Sequence, residues 1–259
     1  MESLREKQAY ICDMDGVLYH GSKLLPGAKK FVDWLKRRGK QYLFLTNSSS
    51  RTPEELSGKL AAMGIQVSPE HFMTSGIATA GFLAAQNPDG NAYVIGDNGI
   101  RQALLANGFR LVDKAPDYVV VGQTETYDYR QIEKAINLVL GGAKLIGTNP
   151  DVSGPVEEGV APACRALIAP IEMVSDRQAY FIGKPNPLIM RHSLKRIGRR
   201  REETLIIGDR MDTDIIAGIE SEIETVLVLS GITKEKDIHR YPYRPTYVLS
   251  GVGDIPEPA

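Results

Sequence analysis

Two hydrophobic patterns alternate along this chain: short apolar runs, and longer segments in which apolar residues recur at helical spacing. Between two of the apolar runs, Phe31, Val32 and Leu35 fall on one face of a helix that covers residues 28–38. A strand, a helix and a second strand in this order are typical of a parallel sheet flanked by helices. The apolar runs predict strands at Tyr10 to Asp13, Gln41 to Thr46, Thr204 to Asp209 and Thr225 to Leu229.

The segment after the second strand carries helix boundary signals. Thr52 and Glu55 have the spacing of a capping box, Pro53 suits the first helical position, and Gly64 suits the end of the helix. The last stretch, from Gly251 to Ala259, contains two prolines and is expected to be loose.

A second alternating series of helices and strands begins after Ser75. It is longer than one sheet needs between neighbouring strands, and it therefore predicts an inserted domain. The predicted fold class is α/β: a doubly wound parallel-sheet core, residues 1–75 and 181–259, with a smaller inserted α/β domain, residues 76–180. We expect the core sheet to resume at Phe181 to Gly183.

Composition and charge favour a globular protein with a small-molecule partner. The chain is 42% hydrophobic and 24% charged, and no stretch approaches the roughly 18 apolar residues of a membrane span. Its 31 basic and 32 acidic residues give a net charge of −1, without the basic excess typical of nucleic-acid binding. The charged first residues lack the apolar core of a signal peptide, which predicts a cytoplasmic location.

The densest local charge is the DMDG segment, Asp13 to Gly16, at the end of the first predicted strand. The carboxyl ends of parallel strands open into the ligand crevice of such a sheet, so Asp13 and Asp15 are expected to project into it. Asp13 could then attack a phosphorus atom, while Asp15 exchanges protons with the leaving group and with water. A DxDG string also occurs in ordinary loops. An EF-hand is disfavoured because Val17 replaces a calcium ligand.

Two further segments carry groups suited to binding phosphate. Thr46 and Asn47 close the second predicted strand, where a hydroxyl, an amide and backbone N–H groups can hold phosphoryl oxygens. An ordinary strand-to-helix turn would explain the same residues. In the segment GKPNP, Lys184 can neutralise phosphate charge and Pro187 can begin a helix, although a solitary lysine is usually solvated.

A fourth segment, GDRMDTD, follows another apolar strand. Asp209 at that strand's end could share one Mg²⁺ with Asp13 and the main-chain carbonyl of Asp15. Asp214 is expected to orient Lys184 or metal-bound water, although it or Asp212 could instead cap the following helix.

These segments resemble a known family. DMDGVLYHG, LTNSSSRTPEEL, GKPNP and GDRMDTDIIAG are similar, in order and context, to the four motifs of the haloacid dehalogenase (HAD) superfamily, most closely its NagD-like, 4-nitrophenylphosphatase-like branch. YVVVGQTETYDY and LIGTNPD resemble that branch's cap domain, so the likeness covers nearly the whole chain. The resemblance implies a Rossmann-like core in which the insert between Thr46 and Lys184 is a C2-type cap.

The resemblance also implies a Mg²⁺-dependent phosphatase that forms an aspartyl phosphate on Asp13. Expected substrates are small phosphate monoesters: nucleoside monophosphates, sugar phosphates or glycerol phosphates, and 4-nitrophenyl phosphate in vitro. Alternatives on the same scaffold are a phosphotransferase or phosphomutase, or an inactive ligand-binding protein. The implied roles are acid/base work by Asp15, phosphate contacts from Thr46, Asn47 and Lys184, and metal ligation by Asp13, Asp15 and Asp209.

Two arginines and the oligomeric state add further expectations. The cap segment APACRAL departs from the family pattern by carrying Arg165, which would either bind a second anionic group of the substrate or point outward as a solvated charge. Arg210 is a further candidate for phosphate binding. A homodimer that pairs through the cap is an expected option.

Overall fold

The structure is a computed structural model that describes residues 2–155 and 158–256. Its helices are α1 (Glu2–Glu6), α2 (Ala28–Arg37), α3 (Pro53–Ala62), α4 (Ser75–Gln86), α5 (Asn98–Ala106), α6 (Tyr129–Leu140), α7 (Cys164–Ser175), α8 (Pro187–Ile197) and α9 (Ile216–Glu220). Its strands are β1 (Ala9–Asp13), β2 (Tyr19–His20), β3 (Lys23–Leu24), β4 (Gln41–Thr46), β5 (Phe72–Thr74), β6 (Asn91–Ile95), β7 (Arg110–Leu111), β8 (Tyr118–Val121), β9 (Lys144–Gly147), β10 (Ser153–Pro155), β11 (Val160–Pro162), β12 (Tyr180–Phe181), β13 (Thr204–Gly208), β14 (Glu224–Val228) and β15 (Tyr247–Leu249).

The chain divides into two compact units. The first unit comprises Met1–Thr46, Leu56–Met73 and Lys184–Ala259, and the second comprises Asn47–Glu55 and Thr74–Gly183. The second unit therefore includes a short segment directly after β4, which the sequence pattern assigns to the core.

A sheet with the strand order β15-β14-β13-β1-β4-β5 forms the centre of the first unit. β1 pairs in parallel with both β13 and β4, so the chain winds outward from β1 in both directions. This is the doubly wound arrangement that the sequence predicts, with a buried aromatic contact between Tyr10 and Trp34 at 5.5 Å between ring centroids. The carboxyl ends of β1, β4 and β13 lie along one edge of this sheet.

The second unit has its own sheet, in the order β12-β9-β8-β6-β7, and the described pairings within it are parallel. Val119 and Val121 of β8 pack with Ala135 of α6 and Ile168 of α7 in a buried apolar cluster. The α/β class predicted from the sequence is thus observed, and each unit carries its own sheet.

Two sequence expectations are wrong. Phe181 was expected to return the chain to the core sheet, but it pairs with Gly147 of β9 and extends the sheet of the second unit. The C-terminal stretch was expected to be loose, but Val252 and Ile255 are buried in the core of the first unit. Their apolar side chains tie down residues 251–256, while residues 257–259 lie outside the described part of the chain.

Local helix signals are confirmed. The backbone N–H of Thr52 donates to Glu55 Oε2 at 2.8 Å, and that of Glu55 donates to Thr52 Oγ1 at 3.3 Å, which is a capping box at the start of α3. Pro187 begins α8 as expected, with the Asn186 side chain accepting from the N–H of Leu188. Within the described residues, every helix is too short or too polar to cross a membrane.

Candidate active site

The candidate site is built on the carboxyl ends of two neighbouring strands in the first unit. Asp13 is the last residue of β1, and Asp209 directly follows β13. The two strands are parallel, with Cys12 opposite Ile207, so both acids emerge at the same edge of the sheet. Residues far apart in sequence are thereby brought together by topology alone.

A buried lysine holds two of the acids. Lys184 Nζ donates to Asp13 Oδ1 and to Asp214 Oδ1, each at 2.6 Å. The side chain of Lys184 is only 3% exposed, so its charge depends on these partners. Burial by itself would lower the pKa of Lys184, but the carboxylates of Asp13 and Asp214 raise it above its ordinary value. Lys184 is therefore a fixed cation at neutral pH.

The cluster contains more negative charge than this lysine neutralises. Carboxylate oxygens of Asp13, Asp209 and Asp214 lie within 4.8 Å of one another. Burial raises the pKa of Asp13 well above its usual range, against the opposing effect of Lys184. Burial and the neighbouring Asp214 raise the pKa of Asp209 to about 6. With all three carboxylates ionised, the site needs further positive charge.

A loop after β14 fixes Asp209. The backbone N–H of Ile232 donates to Asp209 Oδ2 at 2.7 Å, and that of Thr233 donates to the Asp209 carbonyl at 3.1 Å. A Cβ atom at Gly231 would lie 2.0 Å from Asp209 Oδ2, so only glycine fits here. Sequence reasoning missed this loop. The available signal was Ser230–Gly231 just beyond a strand that neighbours β13.

Asp214 is held from several sides. Its Oδ2 accepts from the backbone N–H of Arg210 at 3.1 Å, while its Oδ1 accepts from Lys184. A Cβ atom at Gly208 would lie 2.2 Å from Cγ of Asp214. Because glycine has no side chain, the carboxylate of Asp214 can pack against the end of β13. Asp214 is thus placed to position Lys184, and the residues from Met211 to Ile215 form a π-helical turn.

Asp15 differs from the other acids because its side chain is 51% exposed. Its Oδ1 lies 3.4 Å from Nδ1 of His20 on β2. The next residue, Gly16, has φ of +77°, and a Cβ there would lie 2.5 Å from Asp209 Oδ2. The DMDG turn is therefore in close contact with Asp209, and the Asp15 side chain is half-exposed.

Of the predicted phosphate-binding pair, Thr46 is assigned to the first compact unit and Asn47 to the second. Thr46 ends β4, where Leu45 pairs with Asp13, and Asn47 follows it in the chain. In the second unit, Asn47 Nδ2 donates to Asp151 Oδ2 at 2.9 Å. The Asn47 carbonyl accepts from Ser75 Oγ at 2.5 Å and from Asn149 Nδ2 at 2.7 Å.

Both candidate arginines are engaged with acids. Arg165 Nη1 lies 2.7 Å from Oε2 of the buried Glu172, and its guanidinium lies over the ring of Phe181. Arg210 donates from Nε and Nη2 to Asp212, at 3.0 and 2.8 Å. Arg165, whose side chain is 36% exposed, therefore forms an ion pair within the second unit. A substrate-binding role for either arginine stays a prediction.

Comparison with known proteins agrees with this geometry. The family model described as haloacid dehalogenase-like hydrolase matches residues 10–110, and a second, HAD-hydrolase-like model matches residues 181–255. Dihydroxyacetone phosphatase of Corynebacterium glutamicum is 45% identical, over 95% of this chain and 90% of that protein. Ribonucleotide monophosphatase NagD of Escherichia coli is 41% identical, over 95% of this chain and 96% of that protein.

Solved structures show the same fold. NagD from Escherichia coli K-12 superimposes with a TM-score of 0.91 at 40% identity, covering 96% of this chain and 98% of that chain. A 4-nitrophenylphosphatase from Thermotoga maritima gives a TM-score of 0.93 at 32% identity, covering 98% and 97%. The chain belongs to the haloacid dehalogenase-like hydrolases. Within them it is a NagD-like phosphatase, a phosphoric monoester hydrolase.

Proposed function

We propose that this protein hydrolyses small phosphate monoesters in a Mg²⁺-dependent reaction with Asp13 as the nucleophile. The observation that carries the proposal is the buried cluster in which Lys184 joins Asp13 to Asp214, beside Asp209. A nucleophile, a fixed cation and a cation-binding carboxylate are the groups that phosphoryl transfer needs in one place.

The donor set fits Mg²⁺. The ion favours carboxylate and carbonyl oxygens, and Asp13, Asp209 and the main-chain carbonyl of Asp15 would hold it. Three carboxylates facing one ammonium leave two negative charges, and burial raises the pKa values of Asp13 and Asp209. A bound cation would stabilise their ionised forms. When bound, the ion neutralises the nucleophile and the transferring phosphoryl group.

Two chemical steps follow from the residues present. In the first step, a carboxylate oxygen of Asp13 attacks phosphorus while Asp15 gives its proton to the leaving alcohol oxygen, which breaks the ester bond. In the second, Asp15 takes a proton from water, and that water oxygen attacks the phosphorus of the aspartyl phosphate. The phosphorus–Asp13 bond breaks, inorganic phosphate leaves and Asp13 is restored. Lys184 holds Asp13 in place through both steps.

We further propose that Thr46, Asn47 and Lys184 bind the phosphoryl oxygens. Thr46 stands at the end of the strand next to β1, and Asn47 is the next residue in the chain. The relatives named above act on dihydroxyacetone phosphate, ribonucleotides and 4-nitrophenyl phosphate according to their names, which supports a small phosphate ester as the substrate class. In this proposal the second unit is the C2-type cap. A cytoplasmic location and a homodimer through the cap stay predictions.

The proposal is tested with 4-nitrophenyl phosphate, purified protein and Mg²⁺. We expect release of 4-nitrophenol that EDTA abolishes and that added Mg²⁺ restores. Asp13→Asn should fold with an unchanged circular dichroism spectrum and lose turnover. Release that persists in EDTA, or a fully active Asp13→Asn variant, would contradict the proposal. Phosphate transfer to an added alcohol or sugar in preference to water would favour a phosphotransferase.

A further inference from the structure

We infer that Asp151 is a positioning residue that orients the side-chain amide of Asn47 for phosphate binding. The inference rests on the proposed function, in which Asn47 is a phosphate ligand. Its starting observation is the hydrogen bond from Asn47 Nδ2 to Asp151 Oδ2, at 2.9 Å, between two partly buried side chains that are far apart in sequence. Sequence reasoning assigned no role to Asp151.

Asp151 is itself held in place. Its backbone N–H donates to Asn149 Oδ1 at 3.1 Å, and its carbonyl accepts from the backbone N–H of Arg165 at 2.9 Å, at the start of α7. Asn149 is buried and donates from Nδ2 to the Asn47 carbonyl. The turn from Asn149 to Asp151 therefore holds both the backbone carbonyl and the side-chain amide of Asn47.

The opposite side of the amide is also restricted. A Cβ atom at Gly183 would lie 2.8 Å from Asn47 Oδ1, so the glycine allows the amide oxygen to face it closely. A flipped amide would turn its oxygen toward the carboxylate of Asp151, and two acceptors would then face each other. Asp151 therefore fixes the direction in which the amide nitrogen of Asn47 points, and this nitrogen is the donor that an oxyanion would accept from.

The sign of the effect separates this role from a simple charge effect. A carboxylate near a phosphate repels it, so removing Asp151 would strengthen phosphate binding if charge alone mattered. Removal would weaken phosphate binding if Asp151 orients Asn47, because the amide nitrogen would lose the acceptor that directs it. The two roles thus predict changes of opposite direction in the same measurement.

The test is a double-mutant cycle with Asp151→Ala, Asn47→Ala and the double variant. The readouts are KM and kcat for 4-nitrophenyl phosphate and the inhibition constant of inorganic phosphate, each with Mg²⁺. We expect Asp151→Ala to raise KM and the inhibition constant roughly tenfold, with a smaller change in kcat. In the Asn47→Ala background the same substitution should have no further effect. Asp151→Asn keeps an acceptor oxygen and should recover part of the loss.

Asp176→Asn is the matched control. It removes one negative charge from the same unit at an exposed left-handed position, φ +54°, that asparagine tolerates. An unchanged or lower inhibition constant in Asp151→Ala, or equal losses in both backgrounds, would overturn the inference. One outcome would overturn this inference alone. In that outcome the parent shows Mg²⁺-dependent turnover, Asp13→Asn loses it, and Asp151→Ala has the same KM and inhibition constant as the parent. Equal turnover by the parent and Asp13→Asn would overturn the proposed function and this inference with it.

Discussion

Nζ of Lys184 lies 2.6 Å from Oδ1 of Asp13, and both side chains are largely withdrawn from solvent. The contact joins the end of β1 to the loop before α8, and it fixes the orientation of the proposed nucleophile. Because the lysine is also bonded to Asp214, the cluster behaves as one unit, in which loss of one member leaves buried charge without a partner.

Replacing Lys184 by alanine should damage both stability and turnover. The change leaves Asp13 and Asp214 without their cation, so we expect a loss of about 3 to 5 kcal/mol in unfolding free energy at neutral pH. We also expect a drop in kcat of about 100-fold or more. Urea denaturation and 4-nitrophenyl phosphate turnover measure the two effects.

Lys134→Ala serves as the control for that variant, since it breaks an exposed pair with Asp113. It should lower the unfolding free energy far less than Lys184→Ala does, because solvent screens an exposed pair. Equal losses of unfolding free energy in the two variants would show that the buried cluster stabilises the protein no more than an exposed ion pair does.

Gly231→Ala should weaken Mg²⁺ binding although it replaces no acidic residue. Its new Cβ would lie 2.0 Å from Asp209 Oδ2, which forces the carboxylate or the loop to move. The Mg²⁺ concentration for half-maximal activity should rise by about tenfold or more. Gly58→Ala in α3 is the matched control, because a Cβ there meets nothing within 4 Å. An activation curve for Gly231→Ala that matches the parent would refute the proposed role of the loop.

The pKa of Asp209 predicts how pH affects metal binding. Its folded-state pKa is raised to about 6 by burial and Asp214, so protonation of this group favours the metal-free folded state. That stabilisation is fully present when the pH is below the ordinary pKa of an aspartate, and it is lost as the pH rises through about 6. Because Mg²⁺ requires the ionised carboxylate, the rise in Tm on adding Mg²⁺ should be larger at about pH 7.5 than at about pH 5.

Thermal unfolding with and without Mg²⁺ checks this prediction at both pH values. Asp209→Asn removes the titrating group and should show little Mg²⁺ stabilisation at either pH. A Tm shift in the parent that is larger at the acidic pH would contradict the assignment of Asp209 as a ligand.

Arg165→Ala should act on folding and leave substrate preference unchanged. Its guanidinium pairs with Glu172, which also accepts from the backbone N–H of Ala179 at 2.8 Å. Loss of the cation should cost about 1 to 3 kcal/mol in stability. The values of kcat/KM for a nucleotide and for 4-nitrophenyl phosphate should change by the same factor. Arg177→Ala, which alters an exposed arginine of the same unit, is the control. A selective loss on the nucleotide would show that Arg165 binds substrate.

Features set by local chemistry could be predicted from the sequence. The capping box at Thr52 and Glu55 and the strands that end in Asp13 and before Asp209 follow from side-chain type and hydrophobic period. In a parallel sheet, strand ends meet at one edge, so the convergence of these two acids was also predictable.

Features that depend on tertiary contacts could not be predicted from the sequence. Phe181 lies in a two-residue strand whose choice of sheet depends on pairing with Gly147, and no local pattern encodes that partner. Ile232 donates to Asp209 through its backbone N–H, which every residue except proline carries, so the side chain of Ile232 gives no signal. The hydrogen bond between Asn47 and Asp151 likewise depends on how distant segments fold together.

The most direct test of the central claim is the stereochemical course at phosphorus. A phosphate ester made chiral at phosphorus by isotopic and sulfur substitution is hydrolysed, and the configuration of the product is determined. Transfer to Asp13 and then to water involves two in-line displacements, each of which inverts the configuration. We predict net retention. Net inversion would show a single direct attack by water and would contradict Asp13 as the nucleophile.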